Sequence, residues 1–196
     1  MNLIRIGLAA ALFVSLGACV TPVGPVQVTR FHVADVSMLG KGTISVEPAP
    51  GADSASTEWQ AYRGAVLRQL VTLGYSEAAP GKGAQIAQLA LSRRTIDPQA
   101  RGPVSVGVGG STGTYGGGVG VGAGLNLSPK PGPEVATDLA VSIRDRASST
   151  VLWEGRASFT VSAKSPLAGT SLGAPKMSEA LFQGFPGQSG ATIEVK

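Results

Sequence analysis

The longest periodic pattern in the chain predicts one amphipathic helix. Its apolar positions recur at spacings of three and four, so they share one helix face. These positions are Trp59, Tyr62, Val66, Leu70 and Leu73. Ser56 or Thr57 can cap the start, because Thr57 with Gln60 three residues later has the form of a capping box. Gly74 suits a left-handed cap at the end. The apolar stripe is expected to pack on a sheet.

Alternating apolar and polar positions predict the strands of that sheet. The predicted strands span residues 26–33, 43–47, 85–92, 137–145, 150–162 and 191–195. In the first strand, Val26, Val28, Arg30 and His32 share one face. A short helix is predicted over 176–183, with Pro175 at its start. The pattern therefore predicts an α+β fold: a mainly antiparallel sheet with one long and one short helix packed on it, plus a glycine-rich hairpin.

The hairpin is predicted over residues 104–127, where valine, alanine and leucine alternate with small residues in two arms around a glycine-rich turn. Because glycine brings no side chain to bury, this element should open locally at little cost. Its unpaired edge is a candidate partner-binding element, and a passive surface loop is an equally supported interpretation. No glycines in this segment have the i, i+2, i+5 spacing of a dinucleotide-binding loop.

The start of the chain predicts export. After Arg5 comes an apolar run of about 13 residues, shorter than the roughly 20 that a spanning helix needs. The run closes on Leu16-Gly17-Ala18-Cys19, which resembles the bacterial lipobox. The resemblance implies a signal peptide over 1–18, cleavage between Ala18 and Cys19, a diacylglyceryl group on the Cys19 sulfur and acylation of the new amino group. An ordinary signal peptide that ends near a cysteine is the alternative.

The remaining chain has the length of one domain. Residues 19–25 are interpreted as a lipidated N-terminus and tether, and residues 26–196 as a single α+β domain. Cys19 is the only cysteine, so no disulfide can stabilise this domain. The formal net charge is +4, and Arg93-Arg94 is the only adjacent basic pair. This charge distribution does not predict a nucleic-acid partner.

The sequence offers few residues for catalysis or metal binding. His32 is the only histidine, so a two-histidine metal site and most nucleophile-histidine pairs are excluded. The aspartates are scattered without the spacing of a calcium loop: they are Asp35, Asp53, Asp97, Asp138 and Asp145. The chain is therefore predicted to be no enzyme and to bind neither metal nor cofactor. Trp59, Trp153 and the aromatic residues of 182–185 are expected to be core, with a ligand pocket as the alternative.

Several segments together resemble the domain-of-unknown-function 4136 lipoproteins of the Gram-negative envelope. They are Leu16-Gly17-Ala18-Cys19, Leu73-Gly74-Tyr75, Val151-Leu152-Trp153-Glu154-Gly155, Ala180-Leu181-Phe182-Gln183-Gly184-Phe185-Pro186-Gly187 and the glycine-rich middle. The resemblance implies an architecture and an address, with no catalytic residue. Where family members commonly carry an acidic residue after the helix, this chain has Ala84-Gln85.

Two functions are consistent with these features. The first is a non-catalytic lipid-anchored envelope protein that acts as a structural or assembly accessory through protein interaction. The alternative is a carrier of a lipid or other hydrophobic ligand, held in a helix–sheet groove lined by Trp59, Tyr62 and Phe182. Val20 follows Cys19 where aspartate would favour the inner membrane, so the expected address is the outer membrane, with the domain facing the periplasm.

Overall fold

The computed structural model describes residues 23–97, 106–110, 119–123 and 132–196. The strands are β1 (Val26–His32), β2 (Thr43–Pro48), β3 (Ser76–Glu77), β4 (Gln85–Ile96), β5 (Val106–Gly110), β6 (Val119–Ala123), β7 (Glu134–Asp145), β8 (Val151–Ser162) and β9 (Thr192–Val195). The helices are α1 (Thr57–Thr72) and α2 (Thr170–Phe182), with a 3₁₀ turn at Pro166–Ala168. Seven strands form one sheet in the order β3-β2-β4-β7-β8-β1-β9. Its neighbours are antiparallel except β2, which is parallel to β3 and β4. The predicted α+β fold is confirmed.

The centre of the sheet consists of three 12-residue strands, β4, β7 and β8. Leu89 lies opposite Val141, which in turn lies opposite Gly155, so one residue from each strand forms a row across the helix-covered face. β4 extends past the predicted end at residue 92 because its pairing with β7 continues to Ile96 and Glu134. Burial alternates along β7 and β8, as the sequence pattern predicts.

The first helix begins where one of its two candidate caps predicts. Ser56 is the N-cap, and its hydroxyl oxygen accepts a hydrogen bond from the Trp59 N–H at 3.1 Å. Thr57 is the first helical residue. Gly74 follows the C-cap Leu73 with a φ of +105°. A Cβ at Gly74 would lie 2.6 Å from the Gly40 carbonyl oxygen, so the helix end also needs glycine for close packing.

The second helix is longer than predicted. It begins at Thr170, and Pro175 lies inside it instead of at its start. The first turns pack tightly on the 3₁₀ turn, because a Cβ at Gly173 would lie 2.8 Å from the Leu167 carbonyl oxygen. Local signals predict a start at residue 176, six residues after the observed one. Burial of Ala174 and the following apolar residues stabilises the longer helix.

The apolar core lies between the two helices and one face of the sheet.

The Leu70→Ala substitution is expected to lower the free energy of unfolding by about 2–5 kcal/mol, because Leu70 is fully buried. The Val71→Ala substitution is the matched control, since Val71 is 49% exposed on the same helix. Urea denaturation followed by circular dichroism measures both. Equal, small losses would mean that the helix packs through another face.

β5 and β6 form a separate two-stranded antiparallel sheet. Val108 lies opposite Val121, and Val106 lies opposite Ala123. The arms of the predicted hairpin are thus confirmed over these ten residues. The rest of the predicted segment, 104–105, 111–118 and 124–127, lies outside the described residues, and its expected local opening stays a prediction.

Candidate functional site

The aromatic residues considered for a ligand pocket fill the core. Trp59, Tyr62 and Phe182 are all buried between the helices and the sheet. Phe182 stacks on Trp153, with ring centroids 5.3 Å apart and ring planes inclined by 17°. Phe185 contacts the same indole at 5.3 Å. The apolar surface of these side chains is therefore buried in the core or packed against it. The prediction that they are core residues is confirmed.

Trp153 links two of the segments that carry the family resemblance, 151–155 and 180–187. Its indole N–H donates to the Pro186 carbonyl oxygen at 2.9 Å, which fixes the turn after α2 onto the strand. A Cβ at Gly155 would lie 2.2 Å from the Trp153 ring, so the ring lies directly against the Gly155 backbone. Gly187 has a φ of +81° and completes the turn that Phe185 and Pro186 begin. The turn is therefore a packing element around the indole.

In the described part of the chain, His32 and four of the five aspartates are each bonded to separate groups. The two ring nitrogens of His32 lie 2.7 Å and 3.1 Å from the carbonyl oxygens of Val33 and Gly187. Asp138 accepts hydrogen bonds from Arg94 at 2.9 Å and from Ser158 at 2.7 Å. Asp35, Asp53 and Asp145 cap nearby backbone N–H groups. Among the described residues, no three metal-ligating side chains come together.

Two arginines for which the sequence pattern predicts no role link separate elements of the fold. Arg93 contacts Glu58 at the start of α1 and Thr170 at the start of α2, and so ties both helices to β4. Arg146 donates to Glu47 at 2.5 Å on the opposite face. Although desolvation raises the pKa of the Glu47 carboxyl, hydrogen bonds from Ser45, Arg146 and the Gly81 N–H outweigh it and lower the pKa overall. These groups act on the stability of the fold.

Gln85, which the sequence comparison marks as a departure from the family that the chain resembles, has a structural role. Gln85 opens β4 and is buried. Its side-chain amide donates to the Met38 carbonyl oxygen at 2.9 Å, while its oxygen accepts from the Tyr75 hydroxyl at 3.2 Å. A carboxylate could not donate to that carbonyl. Glutamine at this position therefore fastens the loop before β2 to the sheet.

The face of the sheet away from the helices carries a shallow cavity of about 510 Å³ over β4, β7 and β8. Ala90 and Ala140 lie opposite each other there and form a flat floor. The charged groups around it are already paired, since Arg156 donates to Glu154 at 2.7 Å and Asp138 is bonded as described above. Such internal pairing leaves little charge for an external ligand.

The strongest candidate site lies at the other end of the sheet order. β9 is the last strand, hydrogen-bonded on one side to β1. Between β9 and the end of α2 lies a groove of about 650 Å³. It is lined by Arg30, Gln183, Gly184, Gln188, Ile193, Glu194, Val195 and Lys196. Arg30 is 4% exposed, whereas Ile193 at the rim is 39% exposed. A buried cation thus lines a groove beside a strand edge with which no other described strand pairs.

The predicted lipidation and cleavage residues, Cys19 and Ala18, lie outside the described residues, so their roles stay predictions. Among the residues that the structure describes, neither helix has the length and apolar character needed to span a membrane.

No protein-family model and no curated protein matches the chain. Among solved structures, it is similar to a PDZ domain protein from Parabacteroides distasonis, with a TM-score of 0.49 and 9% identity over 88% of this chain and 39% of that one. The chain therefore spans well under half the length of that protein. It is also similar to PelC dodecamers from Paraburkholderia phytofirmans. One has a TM-score of 0.46 and 11% identity over 84% of this chain and 99% of that chain, and a second has a TM-score of 0.43. Similarities at this level assign no activity.

One signal in the sequence does point to the groove. The alternation in β1 places Arg30 on the same face as Val26 and Val28, and the structure confirms that all three are buried. A charged residue on an apolar strand face needs partners from another element. Those partners come from α2, 150 residues later, and no local pattern identifies them.

Proposed function

We propose that the chain is a non-catalytic, lipid-anchored protein of the bacterial envelope that acts as a structural or assembly accessory through protein interaction. The proposed location is the outer membrane, with the domain in the periplasm. The observation that supports this best is a filled helix–sheet interface next to an open sheet edge at β9. The proposal includes membership of the domain-of-unknown-function 4136 lipoproteins, which the chain resembles in sequence.

An open sheet edge offers backbone N–H and C=O groups to an added strand. At the other end of the sheet order, β3 is only two residues long, which is too short to guide a partner. β9 has four residues, of which Thr192, Ile193 and Glu194 are exposed. Backbone pairing gives affinity, and neighbouring side-chain sites give specificity. β9 is therefore the edge we assign to a partner segment.

The lipid carrier is the weaker candidate because its expected groove is occupied. The side chains that would line it belong to the buried core cluster: Trp59, Tyr62 and Phe182. A carrier would need these residues to separate from the sheet and expose apolar surface. The partner-binding role needs no such rearrangement.

The Cys19→Ser substitution tests the anchor. Serine has no thiol for the diacylglyceryl group, so the variant is expected to lose membrane association or to accumulate as precursor. Fractionation with a high-salt wash, followed by mass spectrometry of the N-terminal peptide, measures this. The control is a serine substitution in the domain, Ala191→Ser, which should leave fractionation unchanged. Full membrane retention of unlipidated Cys19→Ser protein would contradict the proposal.

Site-specific photo-crosslinking in intact cells tests the partner-binding role. A benzophenone amino acid is placed at Glu194 on the β9 edge and, as a control, at Val71 on the exposed side of α1. A discrete protein adduct from position 194 and none from position 71 is the expected result. Adducts to lipid alone would favour the carrier. A variant with residues 109–118 replaced by a short turn shows whether the glycine-rich hairpin contributes to partner recovery.

A further inference from the structure

The guanidinium of Arg30 has two of its three nitrogens engaged. Nε donates to the Leu181 carbonyl oxygen at 2.9 Å, and Nη2 donates to the Ala180 carbonyl oxygen at 3.0 Å. Both carbonyls belong to the last turn of α2, where a helix leaves its oxygens without internal partners. Arg30 therefore caps the helix from the sheet. This capping role explains why the arginine is buried but does not use all of its donors.

The third nitrogen, Nη1, has no hydrogen-bond partner among the described residues. The fully buried side-chain polar atoms without partners in that part of the chain are Ser142 Oγ, Arg144 Nε and Ser178 Oγ. Because Nη1 is not one of them, it is not fully buried, and Arg30 is one of the residues that line the groove. Glycine at position 187 leaves room for this nitrogen, since a Cβ there would lie 2.8 Å from Nη1. The groove thus ends on an unused donor of a buried cation.

The described part of the chain gives Arg30 no carboxylate partner. Glu194 lines the groove, but the register with β1 places Ile193 and Val195 on the helix-covered face and Glu194 on the other. The negative end of the α2 dipole compensates only part of a full charge. Desolvation lowers the pKa of Arg30, and an arginine side chain nevertheless stays protonated at neutral pH. Arg30 therefore places a positive charge at the buried end of the groove, while the exposed residues Glu194 and Lys196 bring one charge of each sign to its lining.

We propose that this groove binds a carboxylate group through Arg30 Nη1, and that the carboxylate belongs to an acidic side chain of the partner segment that pairs with β9. The source of the carboxylate rests on the function proposed above; the anion site itself does not. One free donor nitrogen and one incompletely compensated charge match a monoanion better than a phosphate dianion. Side chains of an added strand alternate between faces, so every second one would point to the groove side, next to Ile193.

The site is tested first without a partner. The full chain as recovered from cells, kept in a neutral detergent, is titrated with sodium acetate and, at equal ionic strength, with sodium chloride, while nitrogen NMR follows the Arg30 side chain. Acetate is expected to shift the Arg30 signals and the backbone amides of 183–184 and 193–195, and chloride to leave them unchanged. Sodium phosphate forms a third arm. Equal responses to acetate and chloride would overturn the site.

The partner chemistry is tested with two peptides, acetyl-Thr-Val-Glu-Val-Thr-amide and the same peptide with glutamine at the centre. We expect the glutamate peptide to bind about tenfold more tightly, as one charge-assisted hydrogen bond in a partly buried site allows. Ile193→Glu, which places a carboxylate beside the guanidinium, should abolish this preference, and the matched Ile193→Lys should retain it. These rim variants leave the Arg30–α2 contacts in place, whereas an Arg30 substitution could unfold the domain.

The outcomes separate the two proposals. Equal affinity for both peptides, or a preference that survives Ile193→Glu, overturns the carboxylate inference, even if crosslinking at position 194 still captures a partner. A response of Arg30 to acetate and a preference for the glutamate peptide, without any crosslinked protein in cells, support the groove as a carboxylate site and count against the proposed function.

Discussion

Replacing Trp153 with alanine is expected to lower the free energy of unfolding by about 3–5 kcal/mol, the largest loss that we predict for any single truncation in this chain. The indole is fully buried, stacks on Phe182 and donates to the Pro186 carbonyl oxygen. Its removal would leave a cavity bounded by α2, β8 and the turn after the helix. The partly buried carbonyl of Pro186 would also lose its partner.

Chemical denaturation followed by circular dichroism measures this loss. Glu154→Ala is the control on the same strand, since the Glu154 side chain lies on the open face and its ion pair with Arg156 is a surface pair worth about 0.2–1 kcal/mol. A loss for Trp153→Ala no greater than that of Glu154→Ala would mean that the indole is not the centre of the core.

Gly155→Ala is expected to cost about 1–3 kcal/mol, although alanine is a minor change on a strand. The added Cβ would lie 2.2 Å from the Trp153 ring and 2.8 Å from Leu181. Phe182 and Phe185 hold the ring from other sides, so it cannot simply move away. The cost comes from overpacking rather than from lost glycine conformations, because this residue is not in the left-handed region.

A double-mutant cycle separates these two causes. In the Trp153→Ala background the ring is absent, so Gly155→Ala should cost clearly less than it does in the natural chain. The difference is measured from denaturation midpoints of the four proteins. Strictly additive losses would show that the ring and Gly155 act independently and that the contact between them is not what requires glycine.

Much of the sheet and the first helix could be predicted because their patterns are local. Alternation along β7 and β8, and the stripe from Trp59 to Leu70, reflect which face each element buries. The parallel placement of β2 between β3 and β4 could not be predicted, because strand order depends on contacts between distant segments. The start of α2 was predicted wrongly for a related reason: Pro175 reads as a helix start, and packing of Gly173 on the 3₁₀ turn extends the helix beyond it.

The candidate site was only partly predictable. The sequence places Arg30 on a buried strand face, which marks it as unusual, but the helix end that it caps lies 150 residues away. The groove itself depends on β9 reaching the sheet beside β1, since β9 supplies Ile193 and Val195 to one wall. The strand itself is predicted over 191–195, but its place beside β1 depends on contacts between distant segments, which no local pattern carries.

The register between the first and last strands limits how far this site can be from a bilayer. Val26 lies opposite Val195, so the domain's point of attachment and the free edge are next to each other. If Cys19 carries the lipid, six residues (20–25) separate the anchor from β1, and the seven Cα–Cα steps from Cys19 to Val26 span at most about 25 Å when extended. A partner that engages β9 would then be confined to a thin layer next to the lipid headgroups. Lengthening the tether would widen that layer without changing the binding surface. The distance from the membrane at which a partner can bind could therefore be varied independently of its affinity.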